Sequence, residues 1–144
     1  MKLFKLTCAS LLFLTTSAYA STEVMTYKSP YCGCCSEWVE HMEDNGFTVK
    51  IEDHEDMNPI KEKLGVEPRL ASCHTAVIDG YVFEGHIPAE DIKQFLAEPR
   101  DFKGLAVPGM PMGSPGMEYG DKKDTYQVIA FKENGKLAIF NTHN

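Results

Sequence analysis

The chain is expected to fold as an α/β protein around one mixed sheet. Three observations predict this. Between Glu23 and Ile51 the hydrophobic period runs two, then 3.6, then two again. Asp79-Gly80 separates two apolar runs in the manner of a two-residue hairpin turn. Asn134-Gly135 does the same farther along.

Glu23 to Tyr27 is short, β-prone and partly alternating, and Ser29-Pro30 breaks it. Ser36 to Asn45 reads as a helix, because Cys35, Trp38, Val39 and Met42 fall on one stripe while Glu37, Glu40, Glu43 and Asp44 face away. Gly46 ends it, and Phe47, Val49 and Ile51 then alternate with Thr48 and Lys50 as a second strand. Strand, helix and strand within roughly thirty residues form a βαβ unit with parallel strands and a right-handed crossover. Asn58-Pro59 opens a short second helix with Ile60 and Leu64 on one face and Gly65 at its end. Thr75 to Ile78 and Tyr81 to Phe83 are the two arms of the first hairpin. Pro88 opens a third helix, striped by Ile92, Phe95 and Leu96 and stopped by Pro99. Residues 99–124 show neither period and read as a long Pro- and Gly-rich loop carrying Met110, Met112 and Met117. Loops of this length are functional or disordered. Thr125 to Phe131 and Lys136 to Phe140 make a second hairpin, residues 125–141, added to the sheet.

The 144 residues suffice for one domain with its own core. The first twenty read as a secretory signal: Lys2 and Lys5, an apolar run from Leu6 to Leu14, and the small-x-small site Ala18-Tyr19-Ala20. The run is too short to span a bilayer. Cys8 precedes most of it, unlike a lipid-bearing cysteine, and leaves with the signal. The mature chain, residues 21–144, is therefore expected to be a soluble periplasmic domain without a membrane anchor. Losing Lys2 and Lys5 moves the net charge from −7 to −9. So acidic a chain is unsuited to nucleic acid, whose binding relies on Lys and Arg.

Four cysteines remain: Cys32, Cys34 and Cys35 between the first strand and first helix, and Cys73 far along the chain. A helix N-terminus offers unpaired N–H groups and partial positive charge, which favour thiolate. Three chemistries fit. Cys32 and Cys35 hold Cys-x-x-Cys spacing, so they suit a thiol–disulfide oxidoreductase acting on exported proteins. Four cysteines in an oxidising compartment also suit two disulfides or a structural Zn site. The adjacency of Cys34 and Cys35 makes paired disulfides awkward, and the usual twin Cys-x-x-Cys zinc signature is missing. Clustered thiolates with nearby thioethers suit Cu(I) best. Adjacent thiolates can bridge ions, so the reading allows more than one copper. Zn has little use for methionine sulfur, so the Met loop favours copper.

The order β-α-β-α-β-β-α, with cysteines between the first strand and helix, resembles the thioredoxin fold. The resemblance implies that Cys73 lies beside the trio, with His74 in the place of that family's cis-proline. More specifically, Cys32-Gly-Cys-Cys35, Ser72-Cys-His-Thr-Ala76, Glu84-Gly-His-Ile-Pro-Ala89 and the stretch from Gly104 to Met117 resemble the CopG-type periplasmic copper-resistance proteins, long filed as a domain of unknown function. The match covers nearly all of the mature chain. It implies a thioredoxin-like scaffold, a Cys-ligated Cu(I) cluster and copper redox conversion during export or detoxification, among other periplasmic copper-handling proteins.

The expected metal residues are Cys32, Cys34, Cys35 and Cys73, joined by Met110, Met112, Met117, His86 and His74. His86 is expected as a copper ligand or as a donor that orients one, with capping or orienting its own loop as the alternative. His41, His54 and His143 are expected on the solvated surface, and the acidic run Glu52 to Asp56 reads as a solubilising face.

Overall fold

A computed structural model describes residues 21–98 and 101–144. The expected signal sequence and the expected helix stop at Pro99 lie outside the described residues. In chain order the elements are β1 (Glu23–Lys28), α1 (Gly33–Asp44), β2 (Thr48–Asp53), α2 (Asn58–Lys63), a 3₁₀ turn (Pro68–Leu70), β3 (Thr75–Ile78), β4 (Tyr81–Glu84), α3 (Ala89–Ala97), β5 (Gly104–Ala106), β6 (Tyr126–Phe131) and β7 (Leu137–His143). They build one seven-stranded sheet in the order β2-β1-β3-β4-β5-β6-β7. β1/β2 and β4/β5 are parallel, and the other pairs are antiparallel. This is a thioredoxin-like sheet with helices on both faces, lengthened by a C-terminal hairpin.

Period-two alternation sorts the side chains. Phe83, Leu105, Val128 and Ala130 face one side and meet Trp38, Val39 and Met42 of α1 and Ile92 and Phe95 of α3. Val82, Ala106 and Phe131 face the other side and meet Val66 and Leu70, beyond α2.

One expectation fails in the long loop, where β5 lies between β4 and β6. Three residues are too few to show alternation. Gly104 belongs there because a Cβ would run into the Val82 backbone. Without β5, the C-terminal hairpin has no strand to join. A second difference is the start of α1, which begins at Gly33 rather than Ser36, so Cys34 and Cys35 lie in its first turn.

Two histidines expected in solvent serve the packing. His143 Nε2 meets Asp91 Oδ2 at 2.6 Å, and Asn141 Nδ2 donates to Asp91 Oδ1 at 2.7 Å. Asp91 is buried, so the pair pins β7 to the first turn of α3. His41 is half-buried and accepts the Ala89 N–H at 3.0 Å, capping α3, whose preceding Pro88 supplies no capping side chain. His54 is partly exposed and pairs with Glu52 at 2.8 Å within the solvated acidic run.

Burial lowers the His41 pKa below its ordinary 6.5. Below that value the unfolded chain binds more protons than the folded one, so stability falls as pH drops. His41→Ala is expected to cost about 1 kcal/mol at pH 7.5. The deficit relative to the parent should narrow at pH 5, because acid removes the same acceptor from the parent. Urea unfolding at both pH values checks this.

Candidate metal centre

Sheet register gathers the site. Tyr27 pairs with Thr75, Thr75 with Glu84, and Glu84 with Ala106. Four chain segments therefore meet at one end of the sheet: the turn after β1, the segment before β3, the segment after β4 and the loop after β5. The first carries Cys32, Cys34 and Cys35, the second Cys73 and His74, the third His86, and the fourth the methionines.

The four sulfurs lie within 4.8 Å of one another. Cys32 caps α1 without a side-chain hydrogen bond, so the first-turn N–H groups and the positive end of the helix face the sulfurs. Four thiolates were expected, but Cys32 and Cys35 are joined as a disulfide, leaving Cys34 and Cys73 as the free cysteines among the described residues. Short Cys-x-x-Cys spacing at a helix start brings their Cα atoms to 5.3 Å, within disulfide reach. Cys34 Sγ is 3.5 Å from Cys32 Sγ.

Cys73, His74 and His86 form a second group that shares Cys73 with the first. His86 Nδ1 donates to the Pro115 carbonyl at 2.7 Å, which turns Nε2 toward Cys73 Sγ at 2.9 Å. His74 Nδ1 lies 3.4 Å from the same sulfur. Among the described residues His74 Nε2 is buried without a partner. Its ring packs 4.4 Å from Trp38 and edge-on to His86 at 4.9 Å. Trp38 Nε1 in turn donates to the Ile87 carbonyl at 2.9 Å, fixing the His86 segment against α1.

Burial sets the protonation of this group. It lowers the His86 pKa, opposed by the Pro115 hydrogen bond. Burial lowers His74 well below 6.5, helped by the charges of His86 and Lys61. Both rings are thus neutral at pH 7 and keep a lone pair, the form that binds metal. Burial, then the nearby Cys34 charge, pushes the Cys73 thiol up to about 12. The metal-free site therefore holds a proton on Cys73 that a metal must displace.

The methionine loop folds over α1. Its start is held by Val107 N–H donating to the Glu84 carbonyl and Gly109 N–H to Ala71. Met110 and Met117 line a cleft with Cys34, Glu37, Glu118 and Tyr119. Met112 does not line it, and its N–H donates to Asp124 Oδ2 at 2.8 Å. Gly116 makes the closest approach: a Cβ there would sit 2.6 Å from the Cys34 carbonyl oxygen, and its φ is +82°.

Sequence reasoning missed the residues that aim the ligands. Pro115 acts through a carbonyl and Gly116 through having no side chain, so neither leaves a chemical signature. Lys61 and Glu84 form a buried ion pair. A glutamate inside the apolar run Tyr-Val-Phe-Glu is the one visible hint.

The family described as "Protein of unknown function, DUF411" matches residues 70–117, which hold Cys73, both site histidines and the methionines but not the α1 cysteines. No curated protein sequence matches. The solved structure "Copper resistance protein copG- Form 2" is 44% identical with a TM-score of 0.83, across 87% of this chain and 100% of that one. The chain belongs to the CopG copper resistance protein family. "Copper resistance protein copG- Form 1" gives the same identity and a TM-score of 0.82, across 86% of this chain and 98% of that one. The likeness to CopG thus reaches well beyond residues 70–117.

Gly116→Ala tests the loop contact. Its positive φ and the Cys34 clash should together cost about 1–3 kcal/mol in urea unfolding. The displaced loop should also expose Cys34, giving faster alkylation of that thiol in folded protein.

Proposed function

We propose that this is a periplasmic copper-resistance protein that binds Cu(I) and serves its redox conversion or transfer. The observation that carries the reading is four sulfurs within 4.8 Å beside two imidazoles. Thiolate and thioether donors favour Cu(I) over harder ions. In the reduced protein Cys32, Cys34, Cys35 and Cys73 are the core ligands, in number enough to bridge more than one ion; with Cys32 and Cys35 oxidised, Cys34 and Cys73 are the thiol ligands that remain. His86 and His74 border Cys73, and Met110 and Met117 cover the open side near Cys34. Met112 joins only if the loop rearranges.

The Cys32–Cys35 pair is the electron store in this reading. Two Cu(II) ions and the reduced dithiol give two Cu(I) ions, the disulfide and two protons. Two S–H bonds break, one S–S bond forms, and each copper takes one electron. A dithiol reductant restores the pair. Residues 1–20 export the chain, residues 21–144 form the working domain, and other periplasmic copper-handling proteins deliver or accept the ion. Among the described residues no helix is long and apolar enough to cross a membrane.

Anaerobic Cu(I) titration against a competing chelator tests the reading. The parent should retain copper, and a C32S/C34S/C35S/C73S variant should lose nearly all of it. Equal copper in both would overturn the assignment.

The disulfide also favours a second reading, a thiol–disulfide oxidoreductase on exported proteins. Cys32 thiolate would attack a substrate disulfide and Cys35 would resolve the mixed species, leaving substrate reduced and Cys32–Cys35 oxidised. Insulin-reduction turnover that persists under copper chelation would favour it. On the copper reading, turnover stays at background.

A further inference from the structure

We propose that Glu84, paired with Lys61, is a positioning residue that sets Cys73 and His86 against the α1 cysteines. This deepens the copper reading, and only its copper readout rests on that reading.

Glu84 closes β4 and is fully buried. Its Oε1 accepts from Lys61 Nζ and from the Ser72 N–H, the latter at 2.6 Å. Its Oε2 accepts from the Thr75 hydroxyl at 2.6 Å, and Lys61 Nζ donates to the same hydroxyl at 3.1 Å. Lys61 reaches in from α2, on the sheet face away from α1.

One residue thereby joins three arms of the site. Its carboxylate holds Ser72, whose neighbour is Cys73. Its backbone leads within two residues to His86. Its carbonyl accepts the Val107 N–H at 2.9 Å, where the methionine loop departs. Ser72 extends the link by donating its hydroxyl to the Gly109 carbonyl.

Stability alone does not explain a charged pair here. Buried ion pairs lose hydration that their attraction barely returns, and apolar pairs of similar volume are often as stable or more so. An apolar pair cannot accept the Ser72 N–H. The charged pair is explained by what it holds, a backbone amide one residue from a ligand sulfur. Outer partners of this kind typically change metal affinity about 10–100-fold.

The test uses K61M/E84M, which keeps volume and removes the acceptor, alongside E84Q and T75V. In metal-free protein, urea unfolding reports global stability and hydrogen exchange reports the Ser72 amide. With C34S added and Cys32–Cys35 kept oxidised, Cys73 is the sole free thiol of the mature chain, and its alkylation rate reports its position. The double variant should unfold near the parent's midpoint. Its Ser72 exchange, Cys73 alkylation and Cu(I) dissociation constant should each rise about tenfold, in keeping with an outer-partner effect. E84Q should show the same pattern at smaller size. T75V removes only one bond to Glu84 and should show it at the smallest, which keeps the test decisive should the double variant not fold. Parent-like exchange and labelling in the folded variants would overturn the proposal. So would faster exchange spread evenly through the sheet, the mark of a merely structural pair. A parent that binds no copper would refute the copper reading, while exchange and labelling still decide the role of Glu84.

Discussion

The row of partners Tyr27, Thr75, Glu84 and Ala106 across four neighbouring strands is the constraint on which the site depends. Pairing one strand to the next fixes where each stops, and these four stop or start together. A slip of one residue would turn every side chain of a strand to the opposite face. It would separate Cys73 from the α1 cysteines and also send Phe83 and Leu105 out of the α1 core. Hydrophobic burial on both faces thus enforces the same register that assembles the sulfurs. The site inherits its geometry from the core.

Within that frame, the sulfurs and the imidazoles occupy different surroundings. The α1 cysteines lie at the positive end of a helix, beside a cleft that reaches solvent. His74 and His86 are fully buried, with His74 against Trp38. Burial holds both histidines neutral and keeps the proton on the partly buried Cys73. The Pro115 carbonyl and the Glu84 carboxylate aim this group from opposite sides of the sheet.

The parts legible in the sequence share a cause. The βαβ unit, both hairpins and α3 are local, carried by period and turn residues, and they stand close to where the pattern placed them. β5 was not legible, because three residues carry no period and its place depends on β4 and β6 already being present. The helix start was misplaced because Gly33, Cys34 and Cys35 look like a loop until their N–H groups are seen facing a sulfur site. His41 and His143 looked solvated because their partners, the Ala89 N–H and Asp91, lie 48 and 52 residues away.

By itself the sequence determined the donor chemistry, since soft sulfur beside imidazole is a property of residue type, and it determined the local elements, which need only neighbours in the chain. Tertiary structure alone decided that Cys32 and Cys35 meet as a disulfide, that Met110 and Met117 reach the cleft while Met112 binds Asp124, and that a buried Lys61–Glu84 pair holds the Cys73 arm. Each of these is a distance between residues set by strand register and burial, and no local pattern encodes such a distance.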